Sequence, residues 1–312
     1  MTNILLFATL CLVWGATWLA IKIGLSESPP FYGAALRFLI AWAVLAVLVW
    51  KGKRRWPRGR QVWMWLIASG LAMYFGSYAV VYYVEQYIDS ALAAILFASY
   101  PFFVAIGAHF HIAAERLSPL KVAGLVIGFV GVVVVFGGSV TAPGTGAWWA
   151  PALMLASPFA SAIASIIVKR HLTGEDPIVL NCVQMAIGAV LLFGAAAAVE
   201  DFASFHWNFT SVGALLFLAL FGSAYAFVTL YHLMRTWPVT RLSLIAFITP
   251  VVATVLGWLV LHERLSWATA LGALLVFAGI WMVNVLAERG RRKPSAAVVS
   301  EFPAEGSSVR VR

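Results

Sequence analysis

Apolar residues arrive in this sequence in runs of about 20, the length at which a helix crosses a bilayer. Ten runs can be marked, at 3–24, 31–50, 62–83, 90–112, 119–138, 147–169, 178–199, 210–233, 240–261 and 267–287. The charges are confined to short islands between them, and prolines and glycines mark most of the joints, as in SESPP, TAPGTG and RTWPVTR. Hydrophobic residues make up 62% of the chain and charged residues 11%, against about 25% charged in an ordinary soluble domain. No soluble fold hides that much apolar surface. The chain is expected to be an all-α integral membrane protein of ten transmembrane helices. No Lys or Arg precedes the first run, which therefore reads as a membrane helix rather than a cleaved signal.

The runs also repeat. Residues 115–118 read ERLS, and residues 263–266 read ERLS again. At an offset of 148, Gly124 falls on Gly272, Phe129 on Phe277 and Gly131 on Gly279. At an offset of 147, Lys22, Pro30 and Arg37 fall on Lys169, Pro177 and Gln184. Each half has an apolar segment interrupted by a proline, Pro101 and Pro250. The chain reads as one five-helix unit written twice, 3–138 and 147–287, followed by a charged and then small, polar tail, 288–312, expected to be disordered and cytoplasmic.

Orientation follows from the basic residues. With the N-terminus inside, eighteen of the 21 Lys and Arg lie in inner loops or the tail, and only Lys22, Arg37 and Arg264 lie toward the outside. The net charge of +9 thus belongs beside anionic lipid and not beside nucleic acid. An odd number of helices per unit turns the second unit upside down. Two similar halves in opposite orientation can exchange conformations, which converts an inward-open cavity into an outward-open one. The expectation is a multi-pass protein of a bacterial inner membrane with both termini cytoplasmic, acting as a monomer or weak dimer.

Trp14-Gly15 with Lys22, Pro30 with Arg37, Pro101 with the first ERLS, Pro250 with the second, and the glycine-rich helices after each together resemble the EamA-type family of the drug/metabolite transporter superfamily. The resemblance covers residues 3–287. It implies a secondary carrier of small metabolites, often amino acids and frequently outward. The second half has Gln184 in place of Arg37 and no counterpart of Trp14-Gly15.

Several constellations are candidates for a substrate cavity. Trp14, Trp18 and Lys22 share a face of the first helix, and Tyr74, Tyr78 and Tyr82 form a stripe on the third. Ser157, Ser161 and Ser165 do so on the sixth. Ser99 and Tyr100 precede Pro101, and the eighth helix offers Ser223 and Tyr225. The expected cavity set is Trp14, Trp18, Tyr78, Tyr82, Ser99, Tyr100, Ser161, Ser165 and Tyr225. The same serines also permit close helix packing, and aromatics near segment ends form interfacial belts. A gating or structural set comprises Lys22, Arg37, Pro101, Pro250, Glu115 and Glu263. Arg37 lies about 9 Å into its segment at 1.5 Å per residue, where a charge is costly. It reads as an anchor for a substrate carboxylate or as a gate pairing with Glu85 or Asp89. Lys22 is placed to snorkel.

His109, His111 and Glu115 suggest a metal site, but i and i+2 diverge on a helix. Neither a metal nor any cofactor is expected, and Cys11 and Cys182 read as buried hydrophobes. No acid lies mid-segment, so transport is expected to depend weakly on a proton gradient. No GxxxxGK[ST] loop is present for direct ATP drive. The sequence thus points to a metabolite exporter, with amino acids, aromatic ones among them, as the first substrate class. A carrier for a sugar or drug is the alternative within transport. An intramembrane enzyme would need a nucleophile–base pair or metal cluster that the sequence does not display.

Overall fold

A computed structural model of the protein describes residues 2–88, 90–136, 147–252 and 267–283. Ten apolar helices follow one another: α1 (Thr2–Leu25), α2 (Pro30–Lys51), α3 (Arg60–Val84), α4 (Leu92–His111), α5 (Pro119–Val134), α6 (Ala150–Leu172), α7 (Pro177–Val199), α8 (Phe209–Met234), α9 (Val239–Val252) and α10 (Ala270–Trp281). The seven other than α5, α9 and α10 are long and apolar enough to cross a membrane. The second ERLS, with Glu263, and the tail lie outside the described residues.

The helix starts are written in the sequence. Pro30 and Pro177 open α2 and α7, where a missing N–H costs nothing. The Asp176 carboxylate accepts from the Ile178 N–H, and Asn208 with Ser211 forms a capping box on α8. Large apolar side chains such as Trp50, Phe110, Phe209 and Leu274 point outward, as they must where the solvent is lipid.

The two halves are joined by antiparallel pairs of equivalent helices. In α5 and α10, a Cβ on Gly124 would sit 2.9 Å from the Gly279 carbonyl oxygen, and one on Gly131 would sit 2.7 Å from the Gly272 carbonyl oxygen. Gly124 is equivalent to Gly272 and Gly131 to Gly279, so each glycine meets the other's counterpart. That exchange means that α5 and α10 cross antiparallel, related by a local two-fold axis. Any side chain here would drive the backbones apart.

Helices α2 and α7 show the same arrangement with polar ties. Glu200, just past the end of α7, accepts from the Phe31 and Tyr32 N–H groups at the start of α2, at 2.8 and 2.9 Å. At the other end, Arg54, beyond α2, pairs with Asp176 at the start of α7 at 2.5 Å. A helix N-terminus favours a carboxylate through its free N–H groups and its dipole.

Two equivalent helices carry wide, π-helical turns: Leu71–Ser77 in α3 and Leu220–Tyr225 in α8. Such turns re-aim side chains and often mark functional positions. Helix α4 is interrupted by a turn at Ala98–Ser99, immediately before Tyr100 and Pro101, and then restarts. Pro101 fits this restart because it lacks an N–H. Pro250 is buried within α9.

Candidate substrate cavity

Between the halves lies a cavity of about 90 Å³, lined from the first half by α1, α2, α3 and α4 and from the second by α6, α8 and α9. It has room for several water molecules at roughly 10–15 Å³ each. Its walls are largely apolar and aromatic, with a few convergent polar groups, the usual composition of a small-molecule site. Trp14, Trp18, Tyr78, Tyr100, Ser161 and Arg37 all reach it.

Arg37 is the group around which the site is built. Its side chain is 1% exposed. Nε donates to the Ser223 hydroxyl at 2.7 Å, one terminal nitrogen donates to the Gly222 carbonyl at 3.2 Å, and the other reaches the Tyr82 hydroxyl at 3.4 Å. The guanidinium carbon sits 4.9 Å from the centre of the Tyr78 ring. Its charge is therefore met by dipoles and a π face. Among the described residues no carboxylate pairs with it. The Trp14 indole N–H donates to the same Gly222 carbonyl at 3.1 Å, so the wide turn of α8 serves both.

The other expected cavity residues separate into two groups. Trp18 meets Phe97 edge-on at 5.7 Å between ring centres. Tyr100 lines the space and exchanges a 2.7 Å hydrogen bond with Ser165, which is buried behind it. Ser161 donates to Ser77 at 2.8 Å, and Ser157 shares a 2.8 Å bond with Ser77, so the serine stripe of α6 binds it to α3. Tyr82 reaches the site only through Arg37. Ser99 bonds back to the Leu96 carbonyl inside α4.

Tyr225 does not converge with Trp18, Tyr78 and Ser161. It is 36% exposed, and its hydroxyl bonds Thr9 at 2.6 Å. The sequence explains why. Phe-Gly-Ser occurs at 75–77 and again at 221–223. Aligned on that motif, Tyr78 corresponds to Ala224, and Tyr225 is one residue further, turned by about 100°.

The same doubled Phe-Gly-Ser is the signal that finds Gly222 and Ser223 as partners of Arg37. Phe227, Leu242, Ile245 and Ala246 complete the wall from α8 and α9. They are ordinary apolar residues in apolar segments, and nothing in their type distinguishes a cavity face from a lipid face.

Of the gating or structural set, Lys22 is exposed at the end of α1. Glu115 is 4% exposed and caps α9 across the repeats: its oxygens accept from the Val239 N–H at 2.9 Å, the Thr240 N–H at 2.9 Å and the Thr240 hydroxyl at 2.8 Å. Lys169 ties the neighbouring loop by donating to the Met234 and Trp237 carbonyls at 2.6 and 2.8 Å. His109 accepts from the Leu117 N–H at 3.2 Å, and His111 bonds the Gly107 carbonyl at 2.9 Å. Each is engaged locally, as the divergence of i and i+2 requires.

Glu85 differs from its reading as an ordinary outer-side acid. It is the first residue beyond α3, is 1% exposed, and among the described residues neither carboxylate oxygen has a hydrogen-bond partner. Burial pushes its carboxyl up to about 8, against the opposing fields of Lys22 and Arg37.

The arrangement has known counterparts. A solved crystal structure 23% identical in sequence superposes with a TM-score of 0.77, covering 93% of this chain and 99% of its own, which establishes the same fold. The uncharacterized transporter YoaV of Bacillus subtilis (strain 168) is 28% identical over 87% of this chain and 92% of its own. A protein of Escherichia coli (strain K12) named as a probable amino-acid metabolite efflux pump is 26% identical over 90% of this chain and 93% of its own. The profile of the EamA-like transporter family matches the sequence twice, over residues 1–137 and 148–285, once for each half. The chain is a multi-pass membrane transporter and belongs to the EamA-like transporter family.

Proposed function

We propose that the protein is a secondary carrier that exports small carboxylate-bearing metabolites by alternating access at the Arg37 cavity. Amino acids, aromatic ones included, are the first class. One observation carries the reading: Arg37 holds a buried positive charge against Tyr78 with no carboxylate partner among the described residues. A substrate carboxylate entering the cavity would make charge-assisted bonds stronger than the neutral ones it displaces. Trp14, Trp18 and Tyr100 offer faces to the rest of the molecule. The E. coli relative's name as an amino-acid metabolite efflux pump supports both the class and the direction.

The two repeats, 3–138 and 147–287, serve as the halves that move against each other. The strong bias of Lys and Arg supports cytoplasmic termini and tail in a bacterial inner membrane. The carrier acts as a monomer or weak dimer. The test is efflux from proteoliposomes loaded with labelled amino acids, sugars or a cationic drug. Efflux of amino acids, lost in Arg37→Gln, is expected; movement of a sugar or drug alone would replace the reading.

A further inference from the structure

A carboxylate without a partner is expensive to bury. In an apolar site an ionised carboxyl loses its hydration, and the usual outcome is that it takes up a proton instead. Glu85 sits in such a site. Both its oxygens are buried and, among the described residues, unbonded, and the turn that holds it is fixed by its own N–H donating to the Val81 carbonyl at 3.0 Å. The groups whose charge reaches it come from three helices: Lys22 on α1, Arg37 on α2 and Tyr82 on α3. The segment of α6 packed on this end of α3, Ala150–Met154, contributes no titratable group. Asp89, four residues on, lies outside the described residues.

The turn that carries Glu85 is tied to two other helices by aromatic rings. Tyr83 stacks with Phe31 of α2 at 6.1 Å and with Trp149, at the start of α6, at 5.8 Å. Tyr87 meets Trp149 edge-on at 5.1 Å. Tyr83 and Tyr87, two residues to either side of Glu85, thus tie the turn that contains it to α2 and to the start of α6. In this arrangement the carboxyl is dry.

We propose that Glu85 is a proton-binding site that must be neutral for this end of the carrier to close. The inference rests on the reading of the chain as an alternating-access carrier. In the open form, water delivers a proton to a carboxylate oxygen, forming the O–H bond, and closure follows with no net charge buried. On reopening, the proton returns to water and the carboxylate is hydrated again. Closure therefore takes up one proton from the solution on this side. The sign is fixed by linkage. The carboxyl has its ordinary value of 4.5 when open and is pushed up to about 8 when closed. The closed form is thus fully favoured below about 4.5 and loses ground as pH rises. Over that window the closed-to-open ratio falls about tenfold per pH unit. This predicts a stronger proton dependence than the scarcity of mid-segment acids implies.

Two measurements test it. The first needs no substrate: infrared titration of the purified full chain in lipid nanodiscs. A protonated-carboxyl band that fades as pH is raised, and is missing in Glu85→Gln, is expected. Absence of the band at pH 6, or its persistence in Glu85→Gln, would overturn the assignment. Should Glu85→Gln fail to fold, Lys22→Gln decides. Removing that exposed cation must move the band's midpoint to higher pH, and an unmoved midpoint overturns the proposal. The second is proteoliposome exchange of labelled L-phenylalanine, with the pH varied on one side at a time. A rate that changes with pH on one side in the wild type and stays flat in Glu85→Gln is expected. The same pH profile in both would overturn the role in closure. If phenylalanine does not move at all, the substrate reading fails, and the infrared result still decides Glu85.

Discussion

Glu115 and Glu85 are both nearly fully buried carboxylates at helix ends, 4% and 1% exposed, and they have opposite surroundings. Glu115 sits at the N-terminus of α9 with two backbone N–H groups and a hydroxyl on its oxygens. Its charge is solvated by the protein, and its bonds cross from the first half to the second. Glu85 has no donor among the described residues. The difference shows what a buried acid can do in this fold. A fully bonded one is a fixed joint about which the halves are held, whereas a bare one is stable only while it is neutral, so its state answers to pH.

Breaking the satisfied site has the largest expected effect on stability. Glu115→Ala removes three bonds to a charged acceptor and leaves the first N–H groups of α9 buried without partners. A loss of about 3 kcal/mol is expected, read as a lower unfolding temperature and poorer recovery in detergent. Glu115→Gln retains one acceptor oxygen and loses less. Arg37→Ala acts on function instead. Charge-assisted bonds contribute about 1.5–3 kcal/mol, so transport efficiency for a carboxylate substrate is expected to fall on the order of 10- to 150-fold. Membrane insertion should be preserved, since one charge fewer enters the bilayer. Normal flux in this variant would remove Arg37 from the mechanism.

Much of the fold is legible in the sequence. The run lengths define ten helices, and the ERLS and glycine repeats define the halves. The depth of Arg37 in its segment singles it out. Burial of the loop-end acids was not legible. Glu85 follows Tyr82-Tyr83-Val84 just as an ordinary interfacial acid would, and only the folded bundle buries it. Tyr225 was misplaced because composition carries no phase: a tyrosine one residue later on the helix faces Thr9 instead of the cavity. The apolar wall of α9 was invisible for the same reason.

Glu85→Gln breaks the other side of the comparison and should cost little, under about 1 kcal/mol at pH 5, because no hydrogen bond is lost. Its stability relative to wild type is expected to improve as pH rises from about 4.5 through about 8, where the wild-type carboxyl must hold its proton against increasing cost. Chemical denaturation at pH 5 and pH 8.5 checks this; an equal difference at both pH values would count against a bare carboxyl. The smallest expected effect belongs to the cavity aromatics. Tyr78→Ala or Trp18→Ala should raise the apparent KM for an aromatic substrate about 2- to 12-fold, from roughly 0.5–1.5 kcal/mol per aromatic contact. An aliphatic substrate should be affected less, on protein matched for membrane abundance. Equal losses for both would indicate damaged packing.

The central claim is that a substrate carboxylate sits on Arg37, and ligand chemistry tests it directly. Labelled L-phenylalanine and L-phenylalaninamide differ at the one group in question. Their efflux should be compared in wild type and Arg37→Gln under identical conditions. Wild type is expected to prefer the acid, and Arg37→Gln to lose that preference while moving the amide about as well as wild type does. Retention of the full preference for the acid in Arg37→Gln would contradict the claim.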